Sequence, residues 1–349
     1  MKEAKRMEIP HKVWMGPRVL EDVAELCSSM ALWEKLLVIS GERTYEVAGR
    51  RVERSLTDNG FEVKSTIIKN ADMTTVEKVQ ESIESVDLLL GVGGGTCIDV
   101  AKLTSFREKV PFISIPTAAS HDGISSAQAS IGRGASIRAQ SPFAILADTL
   151  IIKDAPSRLT AAGCGDIIAN YSAAYDWELA RRVKGEPYSE YATSLSRMSA
   201  KLVVKNAEII AQRNENSARR LVKALISSGV AMSIAGSSRP ASGSEHLFSH
   251  ALDQIAPKPA LHGEQCGVGT IMSTYLQGGN WQKVRDALKT LGCPTNAKGL
   301  NIEPKYIIKA LTHAHKIRPD RYTILRDGLD ESQAERLATE TGVIIKGSN

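Results

Sequence analysis

Short, uninterrupted apolar segments alternate with amphipathic stretches through the first 120 residues of the chain. The apolar segments are rich in Leu, Ile and Val, which predicts buried strands. They are LLVIS (36–40), FEVKSTII (61–68), DLLLGVG (87–93) and FISIP (112–116). Two stretches between them, EVAGRRVERSLTDNG (46–60) and MTTVEKVQESIES (73–85), carry apolar residues at helical spacing. Strands that alternate with helices through short turns predict a parallel sheet with helices on both faces.

The pattern changes near residue 155. Before it, residues 123–152 contain ISSAQASIGRGASIRA and FAILADTLII, which predict a hairpin that closes the first domain. After it, long amphipathic stretches such as YSEYATSLSRMSAKLVVKNAEIIAQR predict helices. The sequence therefore predicts an α/β domain over residues 1–155 and a mostly helical domain over residues 156–349.

Composition and charge narrow the class of protein. No apolar run in the 349 residues approaches the ~20 needed to cross a bilayer, and the N-terminus has no apolar signal core. A cytoplasmic protein without stable membrane insertion is expected. The five cysteines form no CxxC pair, which argues against a disulfide framework or a zinc ribbon. The net charge of +5 suits a small anionic ligand, and without a Lys/Arg block no nucleic-acid partner is expected.

A glycine-rich segment, GVGGGTCIDVAK (91–102), follows the third predicted strand and precedes a helix. Open α/β sheets bind ligands at the carboxyl ends of their strands, and glycines let backbone N–H groups approach a phosphate. The segment predicts a phosphate-binding loop, although it differs from the usual GxGxxG pattern. The alternative is a tight turn with no ligand. Thr96 and Asp99 have capping-box spacing, so Asp99 is expected to cap the helix.

Three further segments carry candidate chemistry. PTAASHDGISS (116–126) is a run of small and hydroxyl residues around His121 and Asp122. GSEHLFSHALD (243–253) places His246 and His250 four residues apart on one helix face, and His262 follows in a loop flanked by Pro and Gly. Such histidines can share one metal ion, with a carboxylate as a further ligand. Asp166, near the start of a predicted helix, is a candidate for that ligand. Histidines and an aspartate in ordinary hydrogen bonds are the alternative.

In this order, GGGTCIDVAK, PTAASHDG, AAGCGDIIANYSA, GSEHLFSHALD and LHGEQCGVG are similar to motifs of one family. The chain resembles the archaeal-type sn-glycerol-1-phosphate dehydrogenases, of the superfamily of dehydroquinate synthases, glycerol dehydrogenases and iron-type alcohol dehydrogenases. The resemblance covers roughly residues 8 to 345. It implies an N-terminal nucleotide-binding α/β domain, a C-terminal helical domain that binds metal and substrate, and an active site in the cleft between them.

The resemblance also implies roles for individual residues. The cofactor, NAD(H) or NADP(H), would be held by Gly93, Gly94, Gly95, Thr96 and Cys97 at the pyrophosphate, and by Thr117, Ala118, Ala119, Ser120 and Ser126 near the nicotinamide. One Zn²⁺ per subunit would be bound by Asp166, His246 and His262. The substrate would contact Asp122, Asp166 and His250. The implied catalytic residues are Asp122 and His250, the latter as a proton relay. Only the family match ranks His246 above His250 as a ligand.

The implied reaction is the reduction of dihydroxyacetone phosphate by NADH or NADPH to sn-glycerol 1-phosphate, the backbone of archaeal ether phospholipids. A glycerol dehydrogenase acting on an unphosphorylated polyol, a dehydroquinate synthase and a nucleotide-binding regulator without chemistry are the alternatives. Members of the superfamily commonly self-associate, so a homo-oligomer is expected.

Two details are open from the sequence alone. Lys258 and His121 lie near the motifs, but neither has a pattern that assigns it to the substrate phosphate. The segment VISGERT (38–44), taken as the end of the first strand, has Gly41 where NAD-specific glycerol dehydrogenases look to have an Asp. Because glycine leaves room for a 2′-phosphate, NADPH use is expected, with Arg43 as its partner. The alternative is a turn glycine beside a solvated arginine.

Overall fold

The computed structural model describes residues 7–132 and 136–345. Its strands, in chain order, are β1 (Lys12–Gly16), β2 (Lys35–Gly41), β3 (Glu62–Ile68), β4 (Leu88–Gly93), β5 (Phe112–Pro116), β6 (Gln128–Ala129), β7 (Ile137–Arg138) and β8 (Ala144–Asp148). Six of them form one sheet in the order β1-β8-β5-β4-β2-β3, and every neighbouring pair is parallel. β6 and β7 form a separate antiparallel pair. The predicted parallel sheet is confirmed.

The helices, in chain order, are α1 (Val23–Ser28), α2 (Glu42–Thr44), α3 (Arg50–Asp58), α4 (Met73–Glu81), α5 (Gly95–Glu108), α6 (Thr149–Lys153), α7 (Ser157–Lys184), α8 (Glu190–Lys205), α9 (Ala207–Ala211), α10 (Glu215–Ala235), α11 (Ser244–Ile255), α12 (His262–Leu276), α13 (Trp281–Thr290), α14 (Ala297–Leu300), α15 (Pro304–His313) and α16 (Glu331–Glu340). A π-helical segment, Tyr45–Gly49, joins α2 to α3. From Thr149 onward the described residues form helices and loops only, so the fold class expected from the sequence is confirmed. No helix of the described chain is long and apolar enough to span a membrane.

Local signals explain where several helices begin and end. Asp72 and Ser189 accept hydrogen bonds from the first-turn amides of α4 and α8. Gly185 and Gly236 follow α7 and α10 in the left-handed conformation that favours glycine. The predicted helix over 188–213 is instead two helices. α8 ends at Lys205, and the side-chain amide of the next residue, Asn206, donates to the Leu202 carbonyl oxygen.

Two predictions about the strands were wrong. β1 was not predicted, so the glycine segment follows the fourth strand in chain order rather than the third, and VISGERT ends the second rather than the first. The predicted hairpin over 123–152 is confined to the short β6–β7 pair, and its residues 133–135 lie outside the described residues. AILAD instead forms β8, a fully buried parallel strand between β1 and β5. Such strands are apolar on both faces, as AILA is here.

The core fills both faces of the sheet. Leu37 and Ile39 pack on one face with the helical half of the chain, whereas Leu36 and Val38 pack on the other with α1 and α3. The first cluster continues into α7, α11 and α12 without interruption. The helical half is therefore packed directly against the sheet face that carries α5.

Glycines bring α7 very close to its neighbours. A Cβ at Gly165 would lie 2.2 Å from the Gly263 carbonyl oxygen of α12, and one at Gly163 would lie 2.0 Å from the Ala119 carbonyl oxygen after β5. No real Cβ makes contacts this short, so the backbones touch where only glycine fits. α7 consequently presses against both α12 and the loop that follows β5.

Candidate active site

Four polar side chains from three helices meet in the buried interior of the helical half. α7 contributes Asp166, α11 contributes His246, and α12 contributes His262 at its first residue and Cys266 one turn later. One donor atom from each of the four lies within 4.8 Å of the others. The structure thus brings together Asp166, His246 and His262, the ligand set implied by the family resemblance. His262 begins a helix rather than lying in a loop, and Asp166 lies well inside α7 rather than near its start.

The distances in this cluster fit a metal ion. The Asp166 Oδ1 atom lies 3.6 Å from His246 Nε2 and 3.7 Å from His262 Nε2. Ligands at ordinary Zn–N and Zn–O bond lengths are separated by about 3.3 Å in a tetrahedral site, so small adjustments suffice. An aspartate with two histidines leaves one tetrahedral position open, which is typical of catalytic rather than structural zinc.

Neighbouring groups turn both histidines toward this centre. The His246 Nδ1 atom lies 2.9 Å from Glu245 Oε1, and the His262 Nδ1 atom lies 3.2 Å from Ser249 Oγ. With Nδ1 engaged in each ring, Nε2 is left to face Asp166. Ligands of metal ions are oriented in this way by carboxylates and hydroxyls behind them. Sequence reasoning missed Glu245 and Ser249, although a carboxylate directly before a candidate ligand was a signal.

Cys266 was also missed. Its Sγ atom lies 3.5 Å from His262 Nε2, and the side chain is fully buried. Because His262 and Cys266 are four residues apart on α12, the pair has the same helical spacing that identified His246 and His250. The thiol is a fourth potential donor at the otherwise open corner of the cluster.

A rival set of donors shares His262. His250, Asp253 and His262 also offer atoms within 4.8 Å of one another. However, Asp253 already accepts a hydrogen bond from Gln265 Nε2 at 2.9 Å, and its nearest approach to His250 is 3.7 Å. His250 Nδ1 is buried without a hydrogen-bond partner. The first set is deeper and better supported by neighbours, which favours His246 as the ligand and leaves His250 beside the centre.

Burial and neighbouring charges shift the pKa values of the titratable groups of the site in different directions. Burial raises the pKa of Asp166, but the charges of His246 and His262 outweigh it and lower that pKa to about 2. Burial, followed by the nearby Asp166 carboxylate, raises the pKa of Asp122 to about 7. Burial lowers the pKa of His250 to about 4, so this ring is neutral at pH 7. Asp166 is therefore ionised, and the His250 ring is neutral, at pH 7.

Asp122 connects the α/β half to the cluster. Its backbone N–H donates to Asp166 Oδ2 at 2.8 Å, and its own Oδ2 atom accepts from Ser228 Oγ of α10 at 2.8 Å. With His246, His250 and His262, Asp122 lines a small cavity between the two halves. We refer to this space as the substrate cavity.

A larger cavity of about 740 Å³ adjoins it, within the range typical of cofactor sites. It runs from the carboxyl ends of β2 and β4 to α7 and α12, and we refer to it as the cofactor cleft. Its walls include Gly41, Arg43, Lys69, Gly94, Gly95, Thr96, Cys97, Ser120, Leu159, His262 and Gly263. Asp99, His121, Ser130 and His262 line both cavities. The two spaces therefore meet beside the candidate metal ligands.

The glycine segment forms one wall of the cofactor cleft. Gly94 caps α5, and a Cβ placed on it would meet no atom within 4 Å, so the backbone is open to a ligand. A Cβ on Gly95 would lie 2.4 Å from His121 Nε2, and one on Gly93 would lie 2.5 Å from Cys97 Sγ. The N-terminus of a 14-residue helix therefore faces the cleft, which is an arrangement that binds phosphate groups.

The prediction that Asp99 caps this helix was wrong. α5 begins one turn earlier, and Asp99 lies inside it. Its Oδ2 atom accepts from the Ser130 amide at 3.0 Å, and its Oδ1 atom accepts from the fully buried Lys102 Nζ at 3.1 Å. Asp99 thus ties α5 to the segment around β6 instead of satisfying the helix terminus.

The remaining predicted cofactor residues divide between the two spaces. Ser120 lines the cofactor cleft, and Ser126 lines the substrate cavity. Thr117, Ala118 and Ala119 are buried behind that surface, where the Thr117 amide donates to the Gly93 carbonyl oxygen at 3.0 Å. Their backbone holds β5 beside the glycine segment. Their contacts with a cofactor stay a prediction.

Comparison with known proteins agrees with this architecture. The family model for iron-containing alcohol dehydrogenase matches residues 14–156. The crystal structure of glycerol dehydrogenase from Schizosaccharomyces pombe superimposes with a TM-score of 0.82 at 19% identity, covering 98% of this chain and 92% of that one. That likeness concerns the fold alone.

Sequence relatives are much closer. The chain is 58% identical to the glycerol-1-phosphate dehydrogenase (NAD(P)+) of Methanosarcina mazei, covering 98% of this chain and 97% of the relative. It is also 58% identical to the enzyme of the same name from Thermococcus sibiricus, covering 97% and 98%. At this identity and coverage, the chain belongs to the glycerol-1-phosphate dehydrogenase (NAD(P)+) family.

Proposed function

We propose that this chain is an oxidoreductase that reduces dihydroxyacetone phosphate to sn-glycerol 1-phosphate with NADH or NADPH. The observation that carries the proposal is the meeting of a nucleotide cleft with an Asp/His/His donor set, in a chain 58% identical to glycerol-1-phosphate dehydrogenases over almost its whole length. The product would supply the glycerophosphate backbone of archaeal ether phospholipids.

Asp166, His246 and His262 would hold one zinc ion per subunit, with Glu245 and Ser249 orienting the rings. A bound zinc ion supplies a Lewis acid for a carbonyl oxygen, and the reduced nicotinamide supplies the hydride. The protein's own residues orient the cofactor and the substrate relative to each other. The glycine segment and α5 would hold the dinucleotide in the cofactor cleft, which shares Asp99, His121, Ser130 and His262 with the substrate cavity.

His250 and Asp122 are the groups placed to handle protons. His250 is a neutral ring on the wall of the substrate cavity, and its Nδ1 atom has no hydrogen-bond partner among the described residues, with Asp253 Oδ2 3.7 Å away. Reduction of a ketone needs one proton at the new hydroxyl oxygen. A neutral imidazole can relay it by giving up its N–H proton to that oxygen while its other nitrogen takes a proton that comes from water. Asp122 is fixed by Ser228 and would contact a substrate hydroxyl.

The decisive test measures cofactor oxidation by purified protein with dihydroxyacetone phosphate, with dihydroxyacetone and with neither. The proposal expects turnover of the phosphorylated ketone, its loss on chelation, and its recovery with Zn²⁺. The product's handedness follows from adding an sn-glycerol-3-phosphate dehydrogenase, which should not oxidise it. Equal kcat/KM for both ketones would favour the glycerol dehydrogenase alternative, and binding of cofactor without turnover would favour a regulator.

A homo-oligomer and a cytoplasmic location stay predictions. One feature supports the oligomer, because Tyr191, Met198 and Leu202 form an exposed apolar stripe along α8. Such stripes mark association surfaces. Light scattering of the parent and of a Leu202→Lys variant tests this, since the variant should have a lower mass if α8 forms the contact.

A further inference from the structure

Three arginines lie in the protein wall behind the substrate cavity. Arg321 Nη1 donates to the Ser242 carbonyl oxygen at 2.7 Å, and Arg321 Nη2 donates to Ser238 Oγ at 2.9 Å. Arg318 Nη2 donates to the Ser136 carbonyl oxygen at 3.0 Å. All three serines line the same cavity as His246, His250 and Asp122. The side chain of the third arginine, Arg239, donates instead to the Tyr322 carbonyl oxygen from Nη1 at 3.0 Å and to Glu186 Oε1 from Nε at 2.6 Å.

Two of the three arginines have no ion-pair partner among the described residues. Arg239 pairs with Glu186, but neither Arg318 nor Arg321 has a carboxylate within 4.0 Å among the described residues. Burial and repulsion by Arg318 and Arg239 lower the pKa of Arg321 to about 9. Both side chains are partly buried, and a guanidinium that loses hydration without a paired carboxylate is destabilised. A site of this kind is stabilised when an anion enters.

The serine hydroxyls can donate hydrogen bonds to an anionic ligand in the cavity. Ser238 Oγ accepts its recorded hydrogen bond from Arg321, so its own hydrogen remains free to donate into the cavity. The Ser242 hydroxyl makes no hydrogen bond to the described residues. Hydroxyl groups backed by guanidinium groups are well suited to a phosphate dianion, which accepts several charged hydrogen bonds.

We propose that the phosphate of the substrate binds at the serine-lined end of the substrate cavity, with Ser238 and Ser242 as direct donors and Arg321 and Arg318 as the neutralising cations. This inference rests on the proposed function and assigns its phosphate subsite. The sequence candidates fit less well. Lys258 is exposed and lines neither cavity. His121 lines both cavities, but its ring packs against Gly95 and Gly123 beside the cofactor cleft. The ketone end of a three-carbon phosphate would then point toward His246 and His250.

The test compares kcat/KM for dihydroxyacetone phosphate with kcat/KM for dihydroxyacetone in the parent and in variants. In the zinc-loaded enzyme, Arg321→Gln and Arg318→Gln should each lower kcat/KM for dihydroxyacetone phosphate by about 10- to 100-fold, the scale of a lost charged hydrogen bond. Their kcat/KM for dihydroxyacetone should stay within about threefold of the parent. Arg326→Gln is the matched control, because Arg326 is an exposed arginine of the same segment.

Inorganic phosphate gives a second readout that does not depend on turnover. It should inhibit dihydroxyacetone reduction by the parent and by Arg326→Gln, and inhibit both test variants at least tenfold more weakly. Arg321→Lys should recover part of the preference, because it restores the charge.

Two results would place the phosphate subsite elsewhere and leave these arginines with a structural role only. One is an equal fall in kcat/KM for both ketones. The other is an unchanged preference for dihydroxyacetone phosphate in folded Arg318→Gln and Arg321→Gln proteins. If Arg321→Gln does not fold, Arg318→Gln decides alone. A parent that does not prefer dihydroxyacetone phosphate contradicts the proposed function itself, which is a different result from a parent whose preference survives both substitutions.

Discussion

Replacing Gly165 by alanine should move one candidate metal ligand, Asp166, away from another, His262. The new Cβ would lie 2.2 Å from the Gly263 carbonyl oxygen, and real contacts of this kind are not shorter than 3.0 Å, so α7 and α12 must separate by at least about 0.8 Å. Gly165 directly precedes Asp166, and Gly263 directly follows His262. The separation between Asp166 Oδ1 and His262 Nε2, now 3.7 Å, would therefore grow to about 4.5 Å.

A zinc site does not tolerate this change, since coordination distances vary by only about 0.2 Å. We expect zinc affinity to fall at least about tenfold, the lower end of the effect of disturbing ligand support. Stability of the metal-free protein should change less. Overpacking costs about 1–3 kcal/mol, and the better helix propensity of alanine offsets about 1 kcal/mol of it.

The assay is competition for Zn²⁺ with a chromophoric chelator, together with thermal unfolding in EDTA. Gly267→Ala is the matched control. It lies on α12 in the same interface, but its Cβ would meet only the end of the Leu288 side chain at 3.1 Å, which can rotate away. A Gly165→Ala protein that binds Zn²⁺ as tightly as the parent would refute the link between helix contact and ligand geometry. Equal loss in both variants would show a general intolerance of added volume.

Three further predictions concern single side chains. His246→Ala should lose bound zinc by elemental analysis, whereas Cys266→Ser should retain about one equivalent because three ligands remain; the reverse result would redefine the ligand set. His250→Ala should retain zinc but reduce kcat by about 10²–10⁴-fold, measured with saturating substrates, and near-parental kcat would exclude it as the proton relay. Gly41→Asp should reduce kcat/KM for NADPH far more than for NADH, and Arg43→Ala should weaken NADPH alone by about 1–3 kcal/mol; an unchanged cofactor ratio in both would show that the end of β2 does not govern the choice.

The surroundings of Gly41 leave room for a side chain, so the Gly41→Asp substitution tests charge without a steric clash. A Cβ there would meet its nearest neighbour, Thr44 Oγ1, at 3.5 Å, so an aspartate fits without forcing the backbone. Gly41, Arg43 and Lys69 all line the cofactor cleft. Lys69 was missed by sequence reasoning, and it could share a 2′-phosphate with Arg43. A Lys69→Ala variant therefore belongs in the same series as a control for a second cation.

The sequence predicted strands that are recognisable from consecutive residues, and it missed a strand that depends on pairing with a segment far away in the chain. Buried strands such as β4 and β5 are continuous apolar runs, and each was placed within a residue or so. β1 contains a lysine, a tryptophan and a glycine in five residues, and it is a strand because it pairs with β8, more than 130 residues away. That pairing also explains why AILAD joins the main sheet instead of forming a hairpin.

The same distinction applies to the site. The i, i+4 histidines and the glycine segment could be recognised along the chain, but Asp166 could be joined to them only by the family resemblance. Arg318 and Arg321 approach the cavity serines across about 80 residues or more, so spacing gave no reason to connect them. Asp99 had the spacing of a cap, yet tertiary contacts with Ser130 and Lys102 determine its role.

The distribution of groups between the two halves has a mechanical consequence. All candidate metal donors come from α7, α11 and α12, which also pack against one another, whereas the glycine segment that faces the dinucleotide belongs to the sheet half. Widening the gap between the halves would carry the hydride donor away from the electrophile without breaking a coordination bond. With zinc bound at these donors, nucleotide exchange would be separable from metal retention, and the spent cofactor would leave in every cycle while the ion stayed bound.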